Sequence, residues 1–189
     1  MATGADRGRA PRADALRNMD AILAAARLEF AENPMAGLDA VAERAGVHRA
    51  TLYRHFPTRE LLVSSLYEAY LDDAEAVVLS ADPAAPDLLA EIERLTRQVY
   101  AVNLDWRAFA WAPAYSYETQ TRREEMTVMT FRLFQAAYDR GVLRQDLTIP
   151  QLLVAWGGSI LFLAARISEG AWTLDQVIEH TMLLITPPA

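Results

Sequence analysis

The sequence predicts an all-α protein: a small N-terminal head of three helices, two of them joined as a helix-turn-helix, and a larger C-terminal helical body, about nine helices in all. Apolar residues recur at spacings of three and four along the whole chain, the stripe of a helix that buries one side. No segment shows the period-two alternation of β-branched and aromatic residues that a half-buried strand requires. With 189 residues, 52% hydrophobic and 23% charged, the chain can enclose a core without covalent staples. It holds no cysteine, which excludes disulfides, thiolate zinc sites, iron–sulfur clusters and cysteine nucleophiles.

The first helix is expected over residues 14–32, with Leu16, Met19, Leu23, Ala26 and Phe30 on one stripe, and Asn33 and Pro34 end it because proline cannot continue a helix. Residues 1–13 read as a disordered arm bearing Arg7, Arg9 and Arg12. A short helix over 38–45 turns Leu38, Val41, Ala42 and Ala45 inward, and Gly46 takes the positive φ after its end. A second short helix, 49–56, is closed by Pro57. Thr58 is the expected N-cap of a fourth helix that reaches about residue 80 through Leu61, Leu62, Leu66, Tyr70 and Val77. Two prolines in 81–86 mark a turn. Beyond it, helices are expected at about 87–102, 105–112, 118–140, 150–168 and 174–185, punctuated by Pro113, Gly141 and Gly170.

Eighteen arginines and no lysine face 25 acids, a net charge of −7 that taken whole disfavours a polyanionic partner. The distribution is uneven. Residues 1–60 hold nine arginines and eight acids, and the remainder holds nine arginines and seventeen acids. The short helix at 49–56 presents Arg49, Thr51, Tyr53, Arg54 and His55, needs only Leu52 and Phe56 inside, and lies in a stretch, 47–59, without any acid. Arginine can read guanine edges, a threonine methyl can meet thymine, and Tyr or His can donate to phosphate oxygens. Two short helices joined by Gly46, Val47 and His48 also describe a plain αα corner, and spacing alone leaves both readings open.

The run VAERAGVHRATLYRHFPTRELL at residues 41–62 contains the small Ala42, the turn Gly46, the Thr51-Leu52-Tyr53 centre and the Phe56-Pro57 exit. In these features it resembles the DNA-binding segment of the tetracycline repressor (TetR) family of bacterial transcriptional regulators, over about residues 14–62. The resemblance implies a DNA-binding domain over 14–60 and a ligand-binding and dimerisation domain over 61–189. It further implies a homodimeric repressor with two heads on adjacent major grooves of a near-palindromic double-stranded DNA operator, released when a small-molecule effector fills a pocket in the body. By position, Tyr53 and His55 would hold phosphates and Arg49, Ala50 and Thr51 would meet base edges; His48 and Arg54 complete the DNA-facing set. Gly37 and His48 depart from the Ser or Thr that the family commonly has at the starts of the second and third helices. They motivate an alternative, a helical protein that binds small molecules and no longer binds DNA. The arm arginines either reach the minor groove or stay solvated.

In the body, aromatic and methionine residues are dense from Tyr100 to Tyr138. One by one such residues are core, but as a set they favour a pocket. The candidate ligand contacts are Trp106, Phe109, Trp111, Tyr115, Met126, Met129, Phe134 and Trp156, for an apolar or aromatic effector. Tyr115, Tyr117, Glu118, Arg122 and Arg123 are candidates for the pocket mouth, although Arg122 and Arg123 beside Glu124 and Glu125 read as exposed helix-face pairs. The stretch 150–168 is apolar on nearly all sides, which calls for a second subunit on the face its own chain leaves bare. Gly157, Gly158 and Ser159 would admit the partner helix, and 174–185 would join the interface. The same stretch approaches the length of a membrane span, but Pro150, Gln151, Gly157, Gly158 and Arg166 interrupt it and no aromatic or basic belts flank it. With no apolar signal segment near Met1, a cytoplasmic protein is expected. No catalytic residue, metal or cofactor is expected: His48, His55 and His180 are scattered, and no nucleophile elbow or phosphate-cradling glycine loop occurs.

Overall fold

A computed structural model describes residues 9–106 and 117–188 of the chain, with side chains over 17–106 and 121–188. The described residues form eight helices and no strand: α1 (Arg9–Glu32), α2 (Leu38–Ala45), α3 (Arg49–His55), α4 (Arg59–Leu79), α5 (Leu88–Asp105), α6 (Tyr117–Asp139), α7 (Ile149–Ser168) and α8 (Leu174–Ile185). Contacts divide the chain into two compact units, Met1–Glu68 and Ala69–Ala189. The helix expected at 105–112 falls almost wholly outside the described residues; Asp105 is the last residue of α5 and Trp106 caps it.

In the first unit α1 begins at Arg9, so the part of the expected arm from Arg9 onward is helical. Alanine and arginine favour a helix, and Pro11 stands in the first turn, where its missing N–H has no intrahelical bond to lose. The buried stripe of α1 is also shifted by one residue from the expectation. Ile22, Ala25, Ala26 and Phe30 are buried, while Met19 and Leu23 are half-buried. This face packs on α2, and α2 packs on α3. Leu38, Val41 and Ala42 of α2 and Leu52 of α3 close the small core with Phe56.

Two arginines tie this unit together. Arg44 of α2 binds two α1 carboxylates, donating from Nε to Glu29 at 2.7 Å and from both terminal nitrogens to Glu32, and these hydrogen bonds raise the pKa of its guanidinium. Arg59 donates to the carbonyl oxygens of Ala36 at 3.2 Å and Pro34 at 2.6 Å, with its guanidinium 4.8 Å from the Phe30 ring centroid. The α4 N-terminus is capped as expected, Leu61 N–H donating to Thr58 Oγ1 at 3.3 Å. Leu62, Leu66 and Tyr67 are buried, whereas Leu61, expected inside, is 51% exposed, because the buried face runs along the four-residue steps from Leu62.

In the second unit the core joins Ile92, Leu95 and Tyr100 of α5, Leu133 and Phe134 of α6, Leu152 and Ile160 of α7 and Val177 and Ile178 of α8, among others. Asp87 caps α5 by accepting from Ala90 N–H, and Thr173 with Gln176 forms a reciprocal capping box at α8. Buried polar groups tie the helices to one another. Trp156 Nε1 donates to Thr96 Oγ1 at 2.8 Å. The Tyr100 hydroxyl lies 2.7 Å from Thr181 Oγ1, whose own proton goes to the Val177 carbonyl, so Tyr100 is the donor. Burial raises the pKa of the Tyr100 phenol, which stays protonated for this role.

Two side chains of this unit find partners on neighbouring helices. Arg122 reaches beyond its own helix, donating to Glu75 at 2.9 Å and Asp72 at 2.8 Å, both on α4. Ser159 belongs to its own subunit's packing, its hydroxyl donating to the Trp156 carbonyl at 2.7 Å and lying 3.1 Å from Thr181 Oγ1 of α8. Helix α7 is long and apolar enough to cross a membrane. It buries one stripe, Ile149, Leu152, Trp156 and Ile160, and leaves Val154 74% and Phe162 71% exposed. Leu183 and Leu184 of α8 are exposed as well.

Candidate functional site

The turn between α2 and α3 is built by Gly46 in the left-handed region, φ 66°. Its N–H donates to the Glu43 carbonyl at 3.1 Å and that of Val47 to Ala42 at 3.1 Å, the paired bonds of a Schellman C-cap. Two residues later α3 begins, with Thr51 and Leu52 N–H groups donating to the His48 carbonyl. Gly37 and His48 stand at the N-caps of α2 and α3, neither making a side-chain cap bond.

Leu52 is fully buried and anchors α3, so the residues around it are turned outward. His48, Arg49, Ala50, Tyr53 and Arg54 are exposed and Thr51 is half-buried. His55 is half-buried, with Nε2 enclosed and without a hydrogen-bond partner among the described residues. Asp39, in the first turn of α2, escaped the sequence reading. Its carboxylate lies 3.1 Å from Arg49 Nη1 and 3.5 Å from the Tyr53 hydroxyl, so it holds both donors side by side on the exposed face of α3. In the sequence it reads only as an acid complementing the dipole at a helix start.

Four arginines from α2 to the start of α4 therefore fall into two groups. Arg44 and Arg59 are occupied within the fold, as described above. Arg49 and Arg54 project from α3, the former with 72% of its side chain exposed even while it touches Asp39. Arg49, paired with Asp39, and Arg54 thus stand on the outward face of α3, while Arg44 and Arg59 are engaged in holding the unit together.

The second unit contains a cavity of about 350 Å³ lined from four helices: Tyr70 of α4, Val99 and Asn103 of α5, Met126 and Thr130 with their neighbours on α6, and Trp156, Ile160 and theirs on α7. Of the ligand contacts expected from sequence, Met126 and Trp156 line it. Phe134 does not: it is fully buried, its ring edge-on to Trp156 with centroids 5.5 Å apart. Trp106 does not either, since its Nε1 donates to Asp73 at 2.7 Å and its ring meets Tyr70 at 6.5 Å. Met129 is partly buried against the core instead. Phe134 and Met129 lie on the side of α6 that meets the core, where helical spacing looks the same for core and pocket, and Trp106 is held by Asp73 at the end of α5. Phe109, Trp111 and Tyr115 lie outside the described residues, as do the side chains of Tyr117 and Glu118.

Sequence reasoning missed Tyr70, Asn103 and Thr130 as cavity residues. A signal for Asn103 was present: it continues the inner stripe of Ile92, Thr96 and Val99, a polar residue where the helix period calls for an apolar one. Gly157 also lines the cavity, and a Cβ there would meet nothing within 4 Å, so this glycine adds open space to the cavity wall.

Comparison with known proteins agrees with this architecture. Residues 22–66, from α1 into α4, match the profile of the bacterial regulatory proteins of the tetR family. Over 79 residues, 42% of each chain, the sequence is 37% identical to the HTH-type transcriptional repressor LfrR of Mycolicibacterium smegmatis. The crystal structure of that regulator in complex with proflavine is similar with a TM-score of 0.63 at 21% identity, covering 88% of this chain and 92% of the other. A TetR family regulator from Marinobacter aquaeolei gives a TM-score of 0.68 at 18% identity, covering 94% and 99%. The ketosteroid transcriptional regulator KstR2 of Mycobacterium tuberculosis gives 0.69 at 19%, covering 91% and 96%. The helix-turn-helix head, residues 22–66, thus matches the tetR family in sequence, and the chain as a whole shares the fold of TetR family regulators.

Proposed function

We propose that this protein is a DNA-binding transcriptional regulator, a repressor that leaves a near-palindromic operator when a small apolar or aromatic molecule occupies the cavity of its body. The observation that carries the reading is the outward face of α3, where Arg49, Tyr53 and Arg54 stand exposed beside Ala50 and Thr51. The DNA-binding domain is assigned to residues 14–60 and the ligand-binding and dimerisation domain to 61–189. Arg49, Ala50 and Thr51 read base edges, and His48, Tyr53, Arg54 and His55 hold phosphates. Two copies associate through α7 and α8, whose exposed Val154, Phe162, Leu183 and Leu184 would otherwise face water. The dimer places two heads on half-sites about 34–36 Å apart, or a multiple of it. A DNA partner supports a cytoplasmic location. Met126 and Trp156 are the proposed ligand contacts among the described residues, and the molecule in the LfrR complex, proflavine, is aromatic like the effector proposed here.

The test is retention of DNA fragments from the gene's own upstream region by purified protein at low salt. Sequence-selective retention, lost on adding an effector, is expected; absence of selective retention refutes the reading. A second reading is favoured by the missing side-chain caps at Gly37 and His48, which withhold a hydroxyl from the phosphates. It describes a small-molecule-binding helical protein that no longer binds DNA, and it predicts a ligand-induced rise in Tm with no retardation of any fragment.

A further inference from the structure

We infer that the cavity takes a neutral, multi-ring molecule that donates one hydrogen bond, from an aromatic hydroxyl or N–H, to Oδ1 of Asn103. The inference rests on the cavity being the effector site and adds the chemistry of its occupant. Asn103 is 6% exposed and lines the cavity. Its Nδ2 donates to the Val99 carbonyl at 2.8 Å, and since a carbonyl can only accept, the amide orientation is settled: the oxygen is the atom left over. That oxygen is buried and has no hydrogen-bond partner among the described residues. A buried acceptor without a donor is costly, and a native fold that keeps one generally has a partner for it that arrives from outside.

Two threonines of the described wall accept hydrogen bonds in the same way. Thr130, 8% exposed, gives its hydroxyl proton to the Met126 carbonyl at 2.8 Å and retains only lone pairs. Thr127 does the same toward the Arg123 carbonyl. The indole N–H of Trp156 is spent on Thr96. Around these groups stand Val99, Met126, Leu153 and Ile160 with the rings of Tyr70 and Trp156, a surface suited to flat apolar molecules. Among the described lining residues there is no Asp or Glu, and the charged one is Arg123. A cationic occupant would lose its hydration with no carboxylate among the described lining residues to replace it. Two other clefts, one beside Arg97 and Asp175 and one beside Glu124 and Arg132, are edged by exposed charged residues and show no such unpaired group.

The test uses isosteric pairs that differ only in the donor: carbazole against fluorene, and 9-phenanthrol against 9-methylphenanthrene, titrated calorimetrically into the full chain. Each donor is expected to bind about ten-fold tighter than its twin, although the twin is the more hydrophobic. In Asn103→Leu the gap is expected to close to less than two-fold. The pair ratio is read on the unaltered chain, so it stands even where the variant fails to fold. Equal affinities within both pairs overturn the inference while leaving the cavity as a ligand site, the result expected if a water held Oδ1. An unchanged gap in a folded Asn103→Leu variant overturns the role of Asn103. Proflavine, a cation with N–H donors, is expected to bind more weakly than carbazole, and the reverse order overturns the neutral class. Failure of every compound, with no effect of any on DNA retention, removes the effector-site reading itself.

Discussion

Arg54 makes no ion pair or hydrogen bond with its side chain among the described residues, so its replacement isolates electrostatic contact with DNA. Arg54 is exposed on α3, and Arg54→Ala in a dimer removes two cations from the DNA-facing surface. Each phosphate neutralised by a cation contributes about 0.9 to the slope of log affinity against log salt, so the slope is expected to become shallower by about 1.8. Between 50 and 200 mM salt the unaltered protein should then lose about 12-fold more affinity than the variant. Fluorescence anisotropy on a labelled duplex from the upstream region, and on an unrelated duplex of equal length, measures both slopes. The change should be the same on both, because phosphates carry no sequence information. Arg44→Ala is the internal control. Its guanidinium is occupied by Glu29 and Glu32, so it should lower the Tm of the head and leave the slope unchanged. An unchanged slope in Arg54→Ala, or an equal change in Arg44→Ala, would refute the division of the arginines into exposed and structural groups.

Gly46→Ala should destabilise the head by about 1–2 kcal/mol in denaturant titrations, a cost of the left-handed backbone alone, since an added Cβ meets nothing within 4 Å; unaltered stability would contradict the need for glycine. Asp39→Ala should change stability by less than about 1 kcal/mol, as expected for an exposed pair, while raising affinity for DNA of any sequence because Arg49 and Tyr53 are released from an acid. Weaker binding in that variant would instead make Asp39 the group that sets the two donors in place. Val154→Glu combined with Phe162→Glu should convert a dimer to a monomer in sedimentation velocity and abolish tight operator binding, and a persistent dimer would move the interface off α7. Arg94, and to a lesser extent the Asp82 N–H, hold the Glu91 carboxyl below the ordinary carboxylate range, against a smaller opposing effect of burial. Its contribution to stability is therefore complete above the unfolded pKa and fades as pH falls through the lower folded value. Glu91→Gln should flatten the acid side of the stability profile, and an identical profile would remove Glu91 from that account.

The helix-turn-helix was legible in the sequence because its determinants are local. A turn glycine, two short amphipathic stretches and a run without acids all lie within residues 38–59, and each acts through bonds spanning a few residues. The cavity was legible only as a region. A stripe of aromatics and methionines marks the inner side of a helix whether that side meets a core or an empty space. Phe134 and Met126, two turns apart on α6, illustrate this: the first closes the core and the second lines the cavity.

By itself, then, the sequence determined the helices, their breaks and the outward face of α3, because backbone hydrogen bonding and helical period are set by near neighbours. Tertiary structure decided which arginines are engaged in holding the head together, since the partners of Arg44 are 12 and 15 residues away and those of Arg59 are 23 and 25 residues away. It decided that Asp39 reaches α3. It also decided that the Asn103 amide oxygen has no partner among the described residues, because that depends on what side chains from four helices leave unfilled, and no local pattern encodes the space between them.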